Sequence, residues 1–219
     1  MGIGLVPSES KFLERSRTAL VNAASNAEIR SRIAKFGMNE EKLQEGLNMH
    51  DRASRQKDRH EKEGIDSRLA SNAYRQLFEE LQALFKRHRD LVRIYFKRKP
   101  DILIRLGVSG RLPTRYNEFF DRFGQFYETI QNNPDLQELV LPLDINSDTV
   151  SECLDKLQEL LTARSGFDNE FAELQDATQE KNRLLLELKE WMDDFDTIAK
   201  VALYDNPQLL EALGIFVRS

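Results

Sequence analysis

A self-similarity at one fixed offset constrains this chain more than any motif it contains. The segment Pro100-Asp101-Ile102-Leu103-Ile104-Arg105-Leu106-Gly107 resembles Pro207-Gln208-Leu209-Leu210-Glu211-Ala212-Leu213-Gly214, an offset of 107 residues. Held without gaps, that offset pairs Leu5 with Leu112, Phe12 with Phe119, Arg15 with Arg122 and Asn26 with Asn133. It also pairs Asn39 with Asn146, Leu47 with Leu154, Ala70 with Ala177, Leu77 with Leu184 and Leu81 with Leu188. Only 17 of the 112 aligned pairs are identical. The weight lies in the helix punctuation. Pro at a first helical turn, Gly just past a helix end and Asn at an N-cap recur at one spacing. We read two tandem copies, 1–107 and 108–219, of one helical unit.

The fold class follows from what separates these signals. Gly and Pro number only 10 and 6 in 219 residues. An all-β chain needs turn residues far more often, so the reading is all-α. Each copy divides into five helical pieces. The first covers about 10–24 and 117–131. A short second piece follows Asn26 and Asn133, with Ile29, Ile33 and Phe36 matching Leu136, Val140 and Leu143 as its buried face. Asn39 and Asn146 cap a third piece, whose stripe in the second copy is Val150, Leu154, Leu157 and Leu161. The fourth carries Leu77, Leu81, Leu84, His88, Leu91 and Tyr95, matching Leu184, Leu188, Trp191, Phe195, Ile198 and Ala202. The last is the short Pro-to-Gly helix. Gly64 and Ser165-Gly166 interrupt the third and fourth pieces, which favours a hairpin at 60–66 and at 165–172; one continuous helix is the alternative. Two such hairpins across a pseudo-two-fold axis would give a four-helix-type bundle with short extra helices, packed as one domain.

Function is less legible. The three histidines, His50, His60 and His88, align with Leu157, Phe167 and Phe195, positions that read as core. His50 and His60 would lie roughly 15 Å apart on one helix, too far to share an ion. No Glu-x-x-His occurs, which argues against a di-iron bundle. One Cys and three scattered His do not make a zinc site. Cys153 aligns with Gly46 and reads as a small buried hydrophobe. There is no Gly-x-Ser-x-Gly, no phosphate-binding Gly-Lys loop and no dinucleotide fingerprint. We therefore name no catalytic, metal or cofactor-binding residue and expect no enzyme.

Charge is the informative property. Residues 1–107 carry 22 Lys+Arg and 15 Asp+Glu, a net of +7, and residues 108–219 carry 10 and 22, a net of −12. The basic residues gather at Arg52, Arg55 and Arg59, and at Lys86, Arg87, Arg89, Lys97 and Arg98. Nucleic-acid binding is one reading of such stripes. The favoured reading is that basic and acidic surfaces pair with each other, within the chain or in a homo-oligomer. At aligned positions Lys86, Arg87 and Arg89 become Asp193, Asp194 and Asp196, and these faces are expected to meet near the axis.

The stretch from Asp196-Thr197-Ile198-Ala199 through Tyr204-Asp205-Asn206-Pro207 to Leu213-Gly214-Ile215 resembles the repeat ending of uncharacterised bacterial tandem-repeat helical proteins. Lys99 and Ile104 depart from it in the first copy, where Asn206 and Glu211 stand in the second. The resemblance implies a bacterial source and supports the tandem reading, but carries no activity, cofactor or site residue.

The expected function is a non-enzymatic helical scaffold or protein-interaction module, whose partner is another protein or a second copy. One alternative is a small-molecule or lipid-binding bundle, motivated by Phe119, Phe120, Phe123, Phe126 and Tyr127. The other is nucleic-acid binding by the basic first half. No run of 18 apolar residues predicts a membrane span. The opening Met1-Gly2-Ile3-Gly4-Leu5-Val6-Pro7 lacks a basic region and a long apolar region, so a cytoplasmic location is expected.

Overall fold

A computed structural model describes residues 8–216, so the expectations placed on Met1–Pro7, including the Leu5 pairing, lie outside the described residues. The described chain is all-helical, and among its residues there is no strand. Eight α-helices follow in order: α1 Glu9–Ser25, α2 Ala27–Ala34, α3 Glu40–Tyr95, α4 Pro100–Arg105, α5 Tyr116–Gln131, α6 Pro134–Val140, α7 Ser147–Ala202 and α8 Pro207–Ala212. A 3-10 turn, Leu141–Leu143, follows α6. None of the described helices is long and apolar enough to cross a membrane.

The hairpins do not form. α3 and α7 each run without a break for 56 residues, about 84 Å of helix. Gly64 and Ser165-Gly166 sit inside them as ordinary helical residues. A lone glycine costs a helix interior only about 1 kcal/mol, and no proline stands beside these positions to add a steric stop. The third and fourth pieces expected in each half of the sequence are therefore one helix.

Element boundaries repeat at the offset of 107. Glu9, Ala27, Glu40 and Pro100 begin α1 to α4, and Tyr116, Pro134, Ser147 and Pro207 begin α5 to α8. Tyr95 and Arg105 end α3 and α4; Ala202 and Ala212 end α7 and α8. The caps repeat as well. Asn39 accepts from the amide of Lys42 at 2.9 Å, and Asn146 from that of Thr149 at 2.9 Å, satisfying first-turn donors that the helix leaves open. Backbone conformation follows suit. Gly107 and Gly214 have φ of 65° and 68°, and the amides of Val108 and Ile215 reach back to the carbonyls of Leu103 and Leu210. That is the left-handed helix ending that glycine makes at no steric cost. Gly37 (φ 91°) aligns with Asp144 (φ 63°), the one described non-glycine residue with positive φ.

Two compact units arise from this chain, and each draws on both halves of the sequence. The first takes the chain up to Ile65 and again from Ala172 onward; the second is Asp66–Phe171. The first unit thus holds α1, α2, the beginning of α3, the end of α7 and α8. Its core sets Leu20, Ala23, Ile29, Ile33 and Leu43 against Leu188, Met192, Phe195, Leu203 and Leu213. The second unit holds the end of α3, α4, α5, α6 and the beginning of α7. Its core sets Leu81, Phe85, Val92 and Leu106 against Phe119, Phe123, Tyr127, Leu136, Val140 and Leu160. Burying such side chains contributes about 1.5–3 kcal/mol each, so each core depends on residues from both sequence halves.

Three residues expected in the core are exposed. Phe36 and Tyr95 stand 50% and 57% exposed, because α2 and α3 end at or just before them and the chain leaves the helical stripe. Leu161 is 37% exposed while Leu160 is fully buried. The stripe on α7 drifts by one residue there, as the 3.6-residue period requires over several turns.

Packing is compensated between aligned positions. In the first unit Gly46 leaves room for Trp191: a Cβ at residue 46 would lie 2.5 Å from the indole ring. Trp191 is itself stacked on Phe195, with centroids 5.7 Å apart. In the second unit the aligned residues are Cys153 and Leu84, a larger residue on one helix and a smaller one on the other. Ion pairs are exchanged for rings in the same way. In the second unit Tyr74, Tyr116 and Phe167 surround the Arg164 guanidinium at 5.4–5.6 Å, and Arg164 also meets Asp168 at 3.0 Å. The aligned residues of the first unit are Lys181, Glu9, His60, Lys57 and Glu61. There Lys181 meets Glu9 at 2.8 Å and Lys57 meets Glu61 at 2.5 Å.

Gly46→Ala is expected to destabilise the protein by about 1–3 kcal/mol through overpacking, although alanine is the better helix former. Gly166→Ala, where nothing lies within 4 Å of the added methyl group, is expected to stabilise by about 0.5–1 kcal/mol. Adding Trp191→Leu to Gly46→Ala should recover part of the loss. Thermal unfolding of the four proteins checks the set, and an equal response at positions 46 and 166 would contradict the packing described.

Candidate interaction surface

The end of α3 sorts its side chains by helical period. Phe85, His88, Val92 and Phe96 face the core of the second unit at spacings of three and four. Lys86, Arg87, Arg93 and Ile94 point to solvent. Past Tyr95 the chain turns, with the Lys99 amide donating to the Phe96 carbonyl at 2.8 Å. Pro100 then opens α4. The turn exposes Lys97, Arg98 and Lys99 together, and α4 exposes Ile104 and Arg105.

The surface so formed is both basic and apolar. Residues 86–105 hold eight basic and two acidic residues, a net of +6. Ile94, Tyr95 and Ile104 stand 70%, 57% and 70% exposed among them. Arg105 meets Asp135 at 2.9 Å. Among the described residues, no ion pair involves Lys86, Arg87, Arg93, Lys97, Arg98 or Lys99. Arg89 differs from its neighbours. It is buried, donates to the Gly110 carbonyl and lies 3.6 Å from Asp90. Burial, and then the nearby Arg93, lower its pKa.

The aligned surface of the first unit has the opposite sign. Residues 193–212 hold five acidic residues and one basic residue, a net of −4. Asp193, Asp194, Asp205 and Glu211 are exposed, as are Val201 at 53% and Tyr204 at 80%. Asp205 forms a two-pronged pair with Arg32 at 2.7 and 2.8 Å, which holds its carboxyl below the usual carboxylate range.

The two inverted triplets do not pair with each other as expected. Asp196 pairs with Arg15 and Asp193 with Lys189 at 3.3 Å, all within the first unit. Arg89 uses Gly110 and Asp90, both within the second. The reason is the continuous helix, which puts 86–89 and 193–196 into different cores. Arg15 aligns with Arg122, so the second unit has two arginines where the first has an ion pair. Arg122 reaches the Gly107 carbonyl at 3.4 Å instead.

The other basic candidates belong to the first unit. Arg52, Arg55 and Arg59 are exposed on the first-unit part of α3. Asp51, Asp58 and Glu61 interleave with them, and Arg59 meets Glu63 at 3.5 Å. The eight basic candidates are thus divided between the two units, three and five. Only Lys86, Arg87, Lys97 and Arg98 share the exposed surface, with Arg89 turned inward beneath it. The sequence reading missed Ile94, Tyr95 and Ile104. A signal was present at Ile104, which aligns with Glu211 at the offset of 107.

Both buried histidines are engaged, whereas Asp196 Oδ1 is buried without a hydrogen-bond partner among the described residues. His50 meets the Leu13 carbonyl and the Asp51 carboxylate, each at 3.2 Å. His88 meets the Tyr127 hydroxyl at 2.8 Å inside the second core. Burial, and then Arg87, push the His88 pKa down. Burial also pushes up the Tyr127 hydroxyl and the Cys153 thiol beside it. The thiol is thus protonated at neutral pH and is a poor nucleophile. Phe119, Phe123, Phe126 and Tyr127 are buried in the same core, whereas the half-buried Phe120 lines a groove. That groove, of about 690 Å³ between α5 and α7, is lined both by Phe120, Leu154 and Leu157 and by Asp121, Gln125, Glu128, Asn132 and Gln158.

Comparison with protein-family models, with curated proteins and with solved structures finds no match to this chain.

His88 supplies a pH test. Its lowered folded-state pKa means that the unfolded chain binds the proton more readily. Stability is therefore full above the unfolded value of about 6.5 and falls as pH drops below it. Tm is expected to decline between neutral pH and pH 5, and the His88→Phe/Tyr127→Phe double variant should show a shallower decline. An unchanged slope would mean that His88 is not the titrating group.

Proposed function

We propose that this chain is a non-enzymatic helical scaffold that associates with other proteins through charged, partly apolar helix ends. The observation that carries the reading is the surface of residues 86–105, where Ile94, Tyr95 and Ile104 stand exposed among basic side chains, six of which have no ion-pair partner among the described residues. Exposed basic residues alone are a common solvated face. Aliphatic and aromatic side chains set among them match the composition of protein-recognition surfaces, in which an apolar centre is rimmed by charge. Nucleic acid is the second reading, favoured by the net of +6 over residues 86–105. It leaves the three apolar side chains without a role.

The scaffold has a tandem-duplicated origin in this proposal. The repeated boundaries, caps and left-handed positions support it, as do aligned residues that trade size and charge. The same reasoning makes the two sequence halves interdependent, since each compact unit draws helices from both. A bacterial origin for the family is part of the same reading.

Two measurements test the proposal. The first is a quadruple variant, Ile94→Ser, Lys97→Glu, Arg98→Glu and Ile104→Ser. It should change stability by less than about 1 kcal/mol, because all four side chains are exposed. It should lose the protein associations that the wild-type chain shows by quantitative crosslinking. A low-salt mobility shift of duplex DNA by the wild type, lost in the variant, would favour the nucleic-acid reading instead. The second measurement is cleavage between the exposed Thr114 and Arg115. The two fragments should stay together and keep their helical content. Clean separation into two folded fragments would overturn the interdependence of the halves.

A further inference from the structure

We infer that the basic end surface of the second unit docks onto the acidic end surface of the first unit in another copy of the same chain. The inference rests on the scaffold reading above and names its partner. Both surfaces come from aligned stretches, 86–105 and 193–212, so they share a backbone form: the last turns of a long helix, a tight turn and a six-residue helix. Their charges are complementary, +6 against −4. Charge changes sign at four aligned positions, Arg89 to Asp196 among them, while Arg93 stays basic as Lys200. Lys86 and Arg87 become Asp193 and Asp194, Arg98 becomes Asp205, and the apolar Ile104 becomes Glu211.

Each surface also keeps an exposed apolar centre. It is Ile94, Tyr95 and Ile104 on one, and Val201 and Tyr204 on the other. A solvated charged face has no need of them, whereas an interface between opposite charges would desolvate them. Within the chain part of this charge remains available, although Asp196 pairs with Arg15, Asp205 with Arg32 and Arg105 with Asp135. Lys97, Arg98 and Lys99 have no carboxylate partner among the described residues. Asp194 has none, and the Asp193 side chain is 65% exposed beside Lys189.

Such a contact joins two different surfaces and is heterologous, so one copy offers both a donor end and an acceptor end. Complementary charge at exposed residues sets the partner and the encounter rate more than the affinity. The association is therefore weak, and its salt dependence is a diagnostic. Anionic lipid or nucleic acid would satisfy the basic surface but would leave the acidic one unexplained.

The test uses the full-length chain in sedimentation velocity over a wide concentration range at low salt. The wild type should form species larger than a dimer, and added salt should weaken them. The basic-end variant Lys97→Ser/Arg98→Ser and the acidic-end variant Asp193→Ser/Asp194→Ser should each associate at least about tenfold more weakly. A mixture of the two variants supplies the decisive reading. The pairing of the intact acidic surface of the first with the intact basic surface of the second should yield a dimer and nothing larger. Ile94→Ser/Ile104→Ser should weaken the wild-type assembly without removing its salt dependence. A wild type that stays monomeric throughout overturns the inference. If the basic-end variant then still loses another protein's association, the scaffold reading survives without self-assembly. If it loses only binding to anionic vesicles or to duplex DNA, both readings fall. A mixture that assembles no better than its components also overturns the head-to-tail arrangement.

Discussion

The continuity of α3 and α7 is the constraint on which the rest depends. A 56-residue helix cannot bury all its apolar side chains in one small core, and these two each contribute to both. Leu43 and Ala53 of α3 belong to one core, and Leu81, Phe85 and Val92 of the same helix to the other. On α7, Val150, Leu157 and Leu160 belong to one core, and Leu188, Met192 and Phe195 to the other. Helices this long are not held by propensity alone. Tertiary burial of an apolar face supplies most of their stability. Here that face is complete only when both halves of the chain are present.

The placement of charge follows from the same continuity. Had each long helix folded back as a hairpin, Lys86 to Arg89 and Asp193 to Asp196 could have met. Unbroken helices carry them into separate cores, where each finds other partners. Asp196 turns to Arg15, and Arg89 turns to the carbonyl of Gly110. The outward-facing members of both sets are then left at the ends of their helices beside exposed apolar side chains. A surface of that kind emerges where a helix stops and its stripe is no longer covered.

Much of the fold is legible from local signals because those signals act locally. Asn39 and Asn146 cap the helices that they were expected to cap, Pro100 and Pro207 open short helices, and Gly107 and Gly214 close them. What decides between a hairpin and a straight helix is not local. Gly64 and Gly166 permit either, and the outcome rests on whether residues far along the chain supply a second core. Register at helix ends was similarly hidden. Tyr95 sits on the extrapolated stripe, but α3 stops there and Phe96 takes the buried place. The basic half of the candidate surface could be read as a cluster of Lys and Arg. Its apolar half could not, since Ile94 in a helix reads as core until the structure shows which face it occupies.

The pairing of Trp191 with Gly46 has an optical consequence. Trp191 is the sole tryptophan of the chain, and it lies half-buried against the first core, stacked on Phe195. The aligned position in the second core is a leucine, and beside His88 that core holds phenylalanine and tyrosine rings. Light absorbed above the tyrosine band therefore excites a single site. Emission reports the solvation of one core alone, while backbone dichroism sums over both. The molecule carries its own label, placed so that the melting of one half of its structure can be watched separately from the whole.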